Sequence, residues 1–254
     1  MMMTRLVRTA AAVVLFGSCS LATPLRAGET IVAVAANFTA AAQEIGQAFE
    51  AATGHSVTYS FGSTGQLYAQ ITQDAPFEVF LAADQARPEK AEAEGFGVAG
   101  TRFTYAVGKL VLWSADPALI DGSGAVLDDP GLAHVAIANP VTAPYGAAAV
   151  EVMQALGVYD RLAPRLVQGK SITQTYQFVA TGNAPVGFVA LSQVALDARG
   201  SRWLVPDDLY APIRQDAILL AGGDENPAAR AYLDFLKSPA AAAIIEHFGY
   251  GTGG

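Results

Sequence analysis

The sequence predicts an α/β fold in two lobes, each a largely parallel sheet covered by helices. Three observations predict it. Short apolar runs alternate with helical patterns along the chain, the signature of helices layered over parallel strands. A long apolar strand beginning near Tyr105 carries Gly108 in its middle, which suits a bend where the chain leaves one lobe for another. A second series of strand–helix units follows, and two apolar helices close the chain.

The elements can be read in order. Residues 31–36 form the first strand; Ala41, Ile45, Ala48, Phe49 and Ala52 then share one helical face, with Gly54 as the stop. Residues 57–61 make the second strand and 77–82 the third, entered through Pro76, while 88–94 read as an exposed, charged helix ended by Gly95. The strand over 105–113 carries the lobe change. In the second lobe, 135–138, 166–167 and 184–191 are strands, with helices through 156 and over 172–180. A strand over 217–221 and helices over 227–236 and 239–248 return to the first lobe. The first lobe is therefore expected over 28–107 plus 195–254, and the second over 108–194.

Residues 1–27 read as a cleavable signal peptide. Arg5 and Arg8 precede a short apolar stretch, and Leu25-Arg26-Ala27 offers a small-residue cleavage site. The stretch is too short to span a bilayer. Cys19 raises lipid attachment as the rival, but Phe16-Gly17-Ser18 matches a leucine-led lipobox poorly. Cleavage removes three arginines and no acidic residue, so the formal charge goes from −8 to −11. It also removes the one cysteine, which excludes disulfides, thiolate catalysis and cysteine–zinc sites from the mature chain. So acidic a chain is a poor partner for nucleic acid or an anionic membrane. Any anion it binds must be captured by local geometry.

Four strand-to-helix turns offer such geometry: Asn37 and Thr39 at the first, Ser63 and Thr64 at the second, Tyr145 at the third, Ser171 at the fourth. A helix start exposes unpaired N–H groups and partial positive charge, and open α/β sheets bind ligands beyond the carboxyl ends of their strands. Ordinary capping is the competing explanation at each turn. Ser171-Ile172-Thr173-Gln174 matches a capping box, which commits the Ser171 hydroxyl to its own helix. Gly62-Ser63-Thr64-Gly65 is more specific, because two adjacent hydroxyls exceed what one cap needs. None of the residues singled out is acidic or basic. A protonated oxyanion needs an acceptor for its proton, so donor-only turns fit a fully deprotonated one such as sulfate, molybdate, tungstate or chromate. A hydrolase built on Ser63 is the reading from another class; it lacks nucleophile-elbow spacing. His55, His134 and His247 are too scattered for a metal site, and Asp128-Asp129 reads as a solvated loop.

Residues 34–39 (VAANFT), 61–67 (FGSTGQL), 75–84 (APFEVFLAAD) and 105–110 (YAVGKL) resemble those of the periplasmic molybdate-binding proteins, the substrate-binding components of ABC importers. The resemblance runs through Pro144-Tyr145-Gly146 to the terminal helices. It implies a type II periplasmic-binding fold, a monomer without cofactor, and molybdate or tungstate clasped between the lobes before delivery to a membrane permease. A receptor for sulfate or another tetrahedral oxyanion is the alternative. Carried over by position, the binding residues are Asn37 with Ala36 or Thr39, Ser63, Thr64, Tyr145, and Ile172 through its main-chain N–H. Some members have serine at the position of Asn37 and a tyrosine donor at that of Ala190. Tyr145 is expected to replace the latter.

Overall fold

A computed structural model describes residues 27–251; Cys19 and the rest of the expected signal peptide before Ala27 lie outside the described residues. The chain begins with β1 (Glu29–Ala35), which passes through one 3-10 turn into α1 (Thr39–Thr53). Then come β2 (Ser56–Gly62), α2 (Thr64–Ile71), β3 (Val79–Leu81), α3 (Ala86–Ala93) and β4 (Phe103–Gly108). Next are β5 (Leu110–Ser114), β6 (Val135–Ala138), α4 (Pro144–Ala155), the single-turn α5 (Tyr159–Leu162), β7 (Leu166–Gly169) and α6 (Ile172–Ala180). The chain ends with β8 (Val186–Ala190), the single-turn α7 (Leu191–Val194), β9 (Ser201–Leu204), β10 (Ile213–Leu219), α8 (Pro227–Phe235) and α9 (Pro239–His247).

Two five-stranded sheets result, in the orders β2-β1-β3-β10-β4 and β7-β6-β8-β5-β9. Their construction is the same. Three parallel strands lie side by side, and the fourth, antiparallel to its neighbours, arrives from the other lobe. The expected single strand over 105–113 is two strands, broken at Lys109, one in each sheet. The chain returns to the first sheet later than residue 195. Ser201–Leu204 pairs with β5, Ser201 opposite Ser114, so the second lobe continues until the chain crosses back before Ile213. The four-residue β9 is too short and polar to announce itself, and its ladder bonds to β5 decide its place.

Each lobe has its own apolar core. Val32, Phe38, Ile45, Phe49, Tyr232 and Ile245 anchor the first, which is why α8 and α9 return to it. Leu110, Leu112, Ile137, Val152 and Phe188 anchor the second. On α1, Ala42 and Gly46 complete the buried face with Ala41, Ile45 and Phe49, whereas Ala52 is exposed. The helix is wedged between sheet and terminal helices, which turns its face slightly from the expected one. Gly54 stops it in the left-handed conformation, φ 74°.

Register positions the turns. Ala35 lies opposite Gly62 and Ala138 opposite Gly169, so the helix starts after β1 and β2 are neighbours, as are those after β6 and β7. The lobes meet across them. Gly65 N–H donates to the Thr142 carbonyl at 2.9 Å, and Arg87 Nη2 to the Val141 carbonyl at 2.9 Å.

Candidate functional site

The helix starts converge on a small cavity with a volume of about 10 Å³. Asn37, Ser63, Thr64, Tyr145 and Ile172 line it, together with small or rigid residues such as Ala36, Gly62, Ala83 and Pro144. No acidic, basic or histidine side chain lines it. Asp84, Arg87, Glu151 and Arg214 line the adjoining groove instead. Lys170, inside the fourth turn, is exposed and not part of the wall.

Three of the four helix starts facing this cavity have no side-chain cap. At α8 and α9 the caps Asn226 and Ser238 accept first-turn N–H groups with their own side chains. At the 3-10 turn after β1, at α2 and at α4, no side chain caps the first turn. Pro144 has no N–H, and Gly146 and Ala147 bond the Ala143 carbonyl, so Tyr145 N–H is the first-turn donor left at α4. The fourth start differs: Ser171 Oγ accepts from Gln174 N–H, as its capping-box pattern implies.

Ser63 is the most telling side chain. It is 3% exposed. Among the described residues, three buried side-chain oxygens lack a hydrogen-bond partner, those of Thr30, Ser63 and Thr142, and only Ser63 stands in the cavity wall. A buried hydroxyl without a partner costs about 1–3 kcal/mol. Beside it, Thr64 Oγ1 accepts from Ala83 N–H at 3.0 Å, which leaves its own hydrogen to donate.

Two expectations change. Thr39 is outside the cavity; its hydroxyl donates to the Ala36 carbonyl at 2.9 Å, a local bond within the first turn. Asn37 stands in the wall, but its side-chain donors are committed elsewhere. Nδ2 donates to Gln215 Oε1 at 2.9 Å and to Tyr250 Oη at 3.1 Å, which uses both of its hydrogens. Among the described residues, no histidine lines the cavity wall with Ser63. His55 is the acceptor for Gly28 N–H, at 2.9 Å through Nδ1, and no carboxylate lines the wall.

A family model described as bacterial extracellular solute-binding protein matches residues 30–251. The molybdate-binding protein ModA of Rhodobacter capsulatus is 66% identical over 232 residues, 91% of this chain and 92% of that protein. The chain belongs to the ModA family. A second relative, the molybdate-binding protein ModA of Azotobacter vinelandii, is 58% identical over 94% of this chain and 96% of its own length. The solved Azotobacter vinelandii periplasmic molybdate-binding protein matches with a TM-score of 0.85 and 43% identity, over 87% of this chain and 98% of that one.

In this ModA-family chain, four residues behind the cavity went unnoticed in the sequence. Gln215, fully buried, accepts from Asn37 Nδ2 and lies 3.1 Å from Tyr105 Oη, while its Nε2 donates to Tyr145 Oη at 3.1 Å. Tyr250 Oη donates to the Asn37 carbonyl or to Ser192 Oγ. Burial raises the hydroxyl pKa of Tyr105, Tyr145 and Tyr250 above the ordinary tyrosine range, so all three remain neutral donors at physiological pH. The one signal available was Gln215-Asp216 interrupting an apolar strand.

Proposed function

We propose that this chain is the periplasmic receptor of an ABC importer, and that it captures molybdate, and tungstate as its close analogue, between its lobes. The observation that carries this reading is the partnerless Ser63 hydroxyl in a wall with no carboxylate, where three of the four helix starts have no side-chain cap. Such a wall offers several donors and no carboxylate. It favours a tetrahedral dianion over hydrogen phosphate, whose proton would meet no charged acceptor. The high identity to proteins named for molybdate binding supports molybdate over sulfate.

The donors are the Ser63 and Thr64 hydroxyls, the main-chain N–H groups of Asn37 and Ile172, and Tyr145 through its hydroxyl and N–H. Ala36 N–H sits beside Asn37. Hydrogen bonds to a charged group are worth about 1.5–3 kcal/mol each. Five or six, less the costs of binding and closure, reach the roughly 8–12 kcal/mol of micromolar to nanomolar affinity. The small wall residues let main chain approach the anion. The protein acts as a monomer after removal of the segment ending near Ala27, and the permease reads lobe closure.

Calorimetric titration of the mature protein with molybdate, tungstate, sulfate, chromate and phosphate tests this. Tight binding of the first two is expected, with none for phosphate. Absence of molybdate binding, or equally tight phosphate binding, would overturn it.

A further inference from the structure

We infer that Gln215 is a positioning residue for the oxyanion site: its amide N–H fixes which way the Tyr145 hydroxyl donates. This rests on the reading of Tyr145 as a donor to the anion. Tyr145 Oη has one hydrogen and accepts from Gln215 Nε2 at 3.1 Å. A hydroxyl that accepts from Gln215 turns its own hydrogen away from that donor, and Tyr145 is one of the residues lining the cavity. A carbonyl in place of that Nε2 would draw the hydrogen backward and remove a donor from the site.

Two features of the fold serve this pairing. β10 has a register break against β4 between Gln215 and Asp216, and such a bulge re-aims a side chain. Where β4 ends, Gly108 leaves the necessary room: a Cβ there would lie 2.1 Å from Tyr145 Oη and 2.6 Å from Gln215 Nε2. The pairing also crosses the lobes, since Tyr145 begins α4 of the second and Gln215 belongs to β10 of the first. The hydroxyl is therefore aimed only when the lobes meet. At its other end, Gln215 Oε1 is held by Asn37 Nδ2, whose residue carries a main-chain donor of the same site. Donors from both lobes are oriented through one amide.

The test is a double-mutant cycle read as the molybdate dissociation constant by calorimetry. Tyr145→Phe is expected to weaken binding about tenfold or more. Gln215→Met is expected to weaken it by a similar factor or more in the wild-type background and by clearly less in the Tyr145→Phe background, where only its hold on Asn37 is left to lose. Equal losses from Gln215→Met in both backgrounds, or no loss in the first, overturn the inference. No loss from Tyr145→Phe removes the donor itself; it refutes both the reading of Tyr145 and the inference, and the two failures are distinct. Gln215→Glu gives a second readout should the methionine variant fold poorly, because its carboxylate still accepts from Asn37. As a carboxylate it draws the Tyr145 hydrogen backward; once protonated it can donate to Tyr145 again. Its affinity is expected to rise relative to wild type as pH falls from about 8 toward about 6, and a ratio constant with pH counts against the inference.

Discussion

Ser63 shows how a single hydroxyl can be costly for folding and useful for binding. Its hydroxyl is buried without a hydrogen-bond partner, which costs stability, and in the proposed site it donates to the anion. Ser63→Ala is accordingly expected to weaken molybdate binding by about 1–3 kcal/mol while leaving the melting temperature of the ligand-free protein unchanged or higher. Titration and thermal melting of the same sample check both halves; an unchanged dissociation constant would remove Ser63 from the site. Thr39 provides the contrast. Its hydroxyl is spent on the Ala36 carbonyl, so Thr39→Ala is expected to bind molybdate as wild type does. Both residues are hydroxyls at a helix start, and the sequence alone treats them alike. The difference lies in whether a nearby carbonyl claims the hydrogen.

At the scale of elements, the start of α2 is shaped by what lies opposite. A Cβ on Gly65 would come 3.0 Å from Thr142 Cα and 3.2 Å from its carbonyl oxygen, across the lobe interface. Replacing a helical glycine with alanine ordinarily stabilises a helix, by up to about 1 kcal/mol. Gly65→Ala is thus expected to separate two quantities that usually move together: thermal stability holds or rises, and molybdate affinity falls because closure meets main chain. Small-angle scattering should show the variant less compact with ligand than wild type, and an unaltered closed form would contradict this. The elements themselves were largely legible, since alternation of apolar runs with helical periodicity places α1, α4, α6, α8 and α9 within a few residues. Two were not. The run over 105–113 reads as one strand because both halves are apolar, and only pairing to two different sheets divides it at Lys109. β9 has four residues, SRWL, too few to show a period.

The whole molecule is two similarly built sheets joined by two crossings, one through Lys109 and one between Leu204 and Ile213. Lys109 and Asp207 form an ion pair, tying one crossing to the other. A further property belongs to this scale because it sums over both lobes. Burial raises the hydroxyl pKa of Tyr59, Tyr105, Tyr145, Tyr232 and Tyr250. Burial, with the nearby Glu94 carboxylate, pushes Tyr68 up to about 12. Unfolded tyrosine loses its proton near about pH 10. Above that the unfolded chain binds fewer protons than the native one, so stability falls as pH rises. Melting temperature is expected to be unaffected by these groups at neutral pH and to drop steeply beyond about pH 10. A melting curve that does not move up to about pH 12 would show that these hydroxyls are not protected as the fold implies.

By itself the sequence determined the strand–helix alternation, a single cysteine at position 19, and four turns whose chosen residues carry no charge. These are local properties, set by side-chain type and spacing, so they survive without knowledge of distant partners. Only the tertiary structure decided which donors are left for a ligand. Asn37 and Gln215 are 178 positions apart, and no local pattern says that one amide will satisfy the other. Buried polar groups compete for partners brought together by packing. That competition assigned the Asn37 amide and the Thr39 hydroxyl elsewhere and left Ser63 facing the cavity.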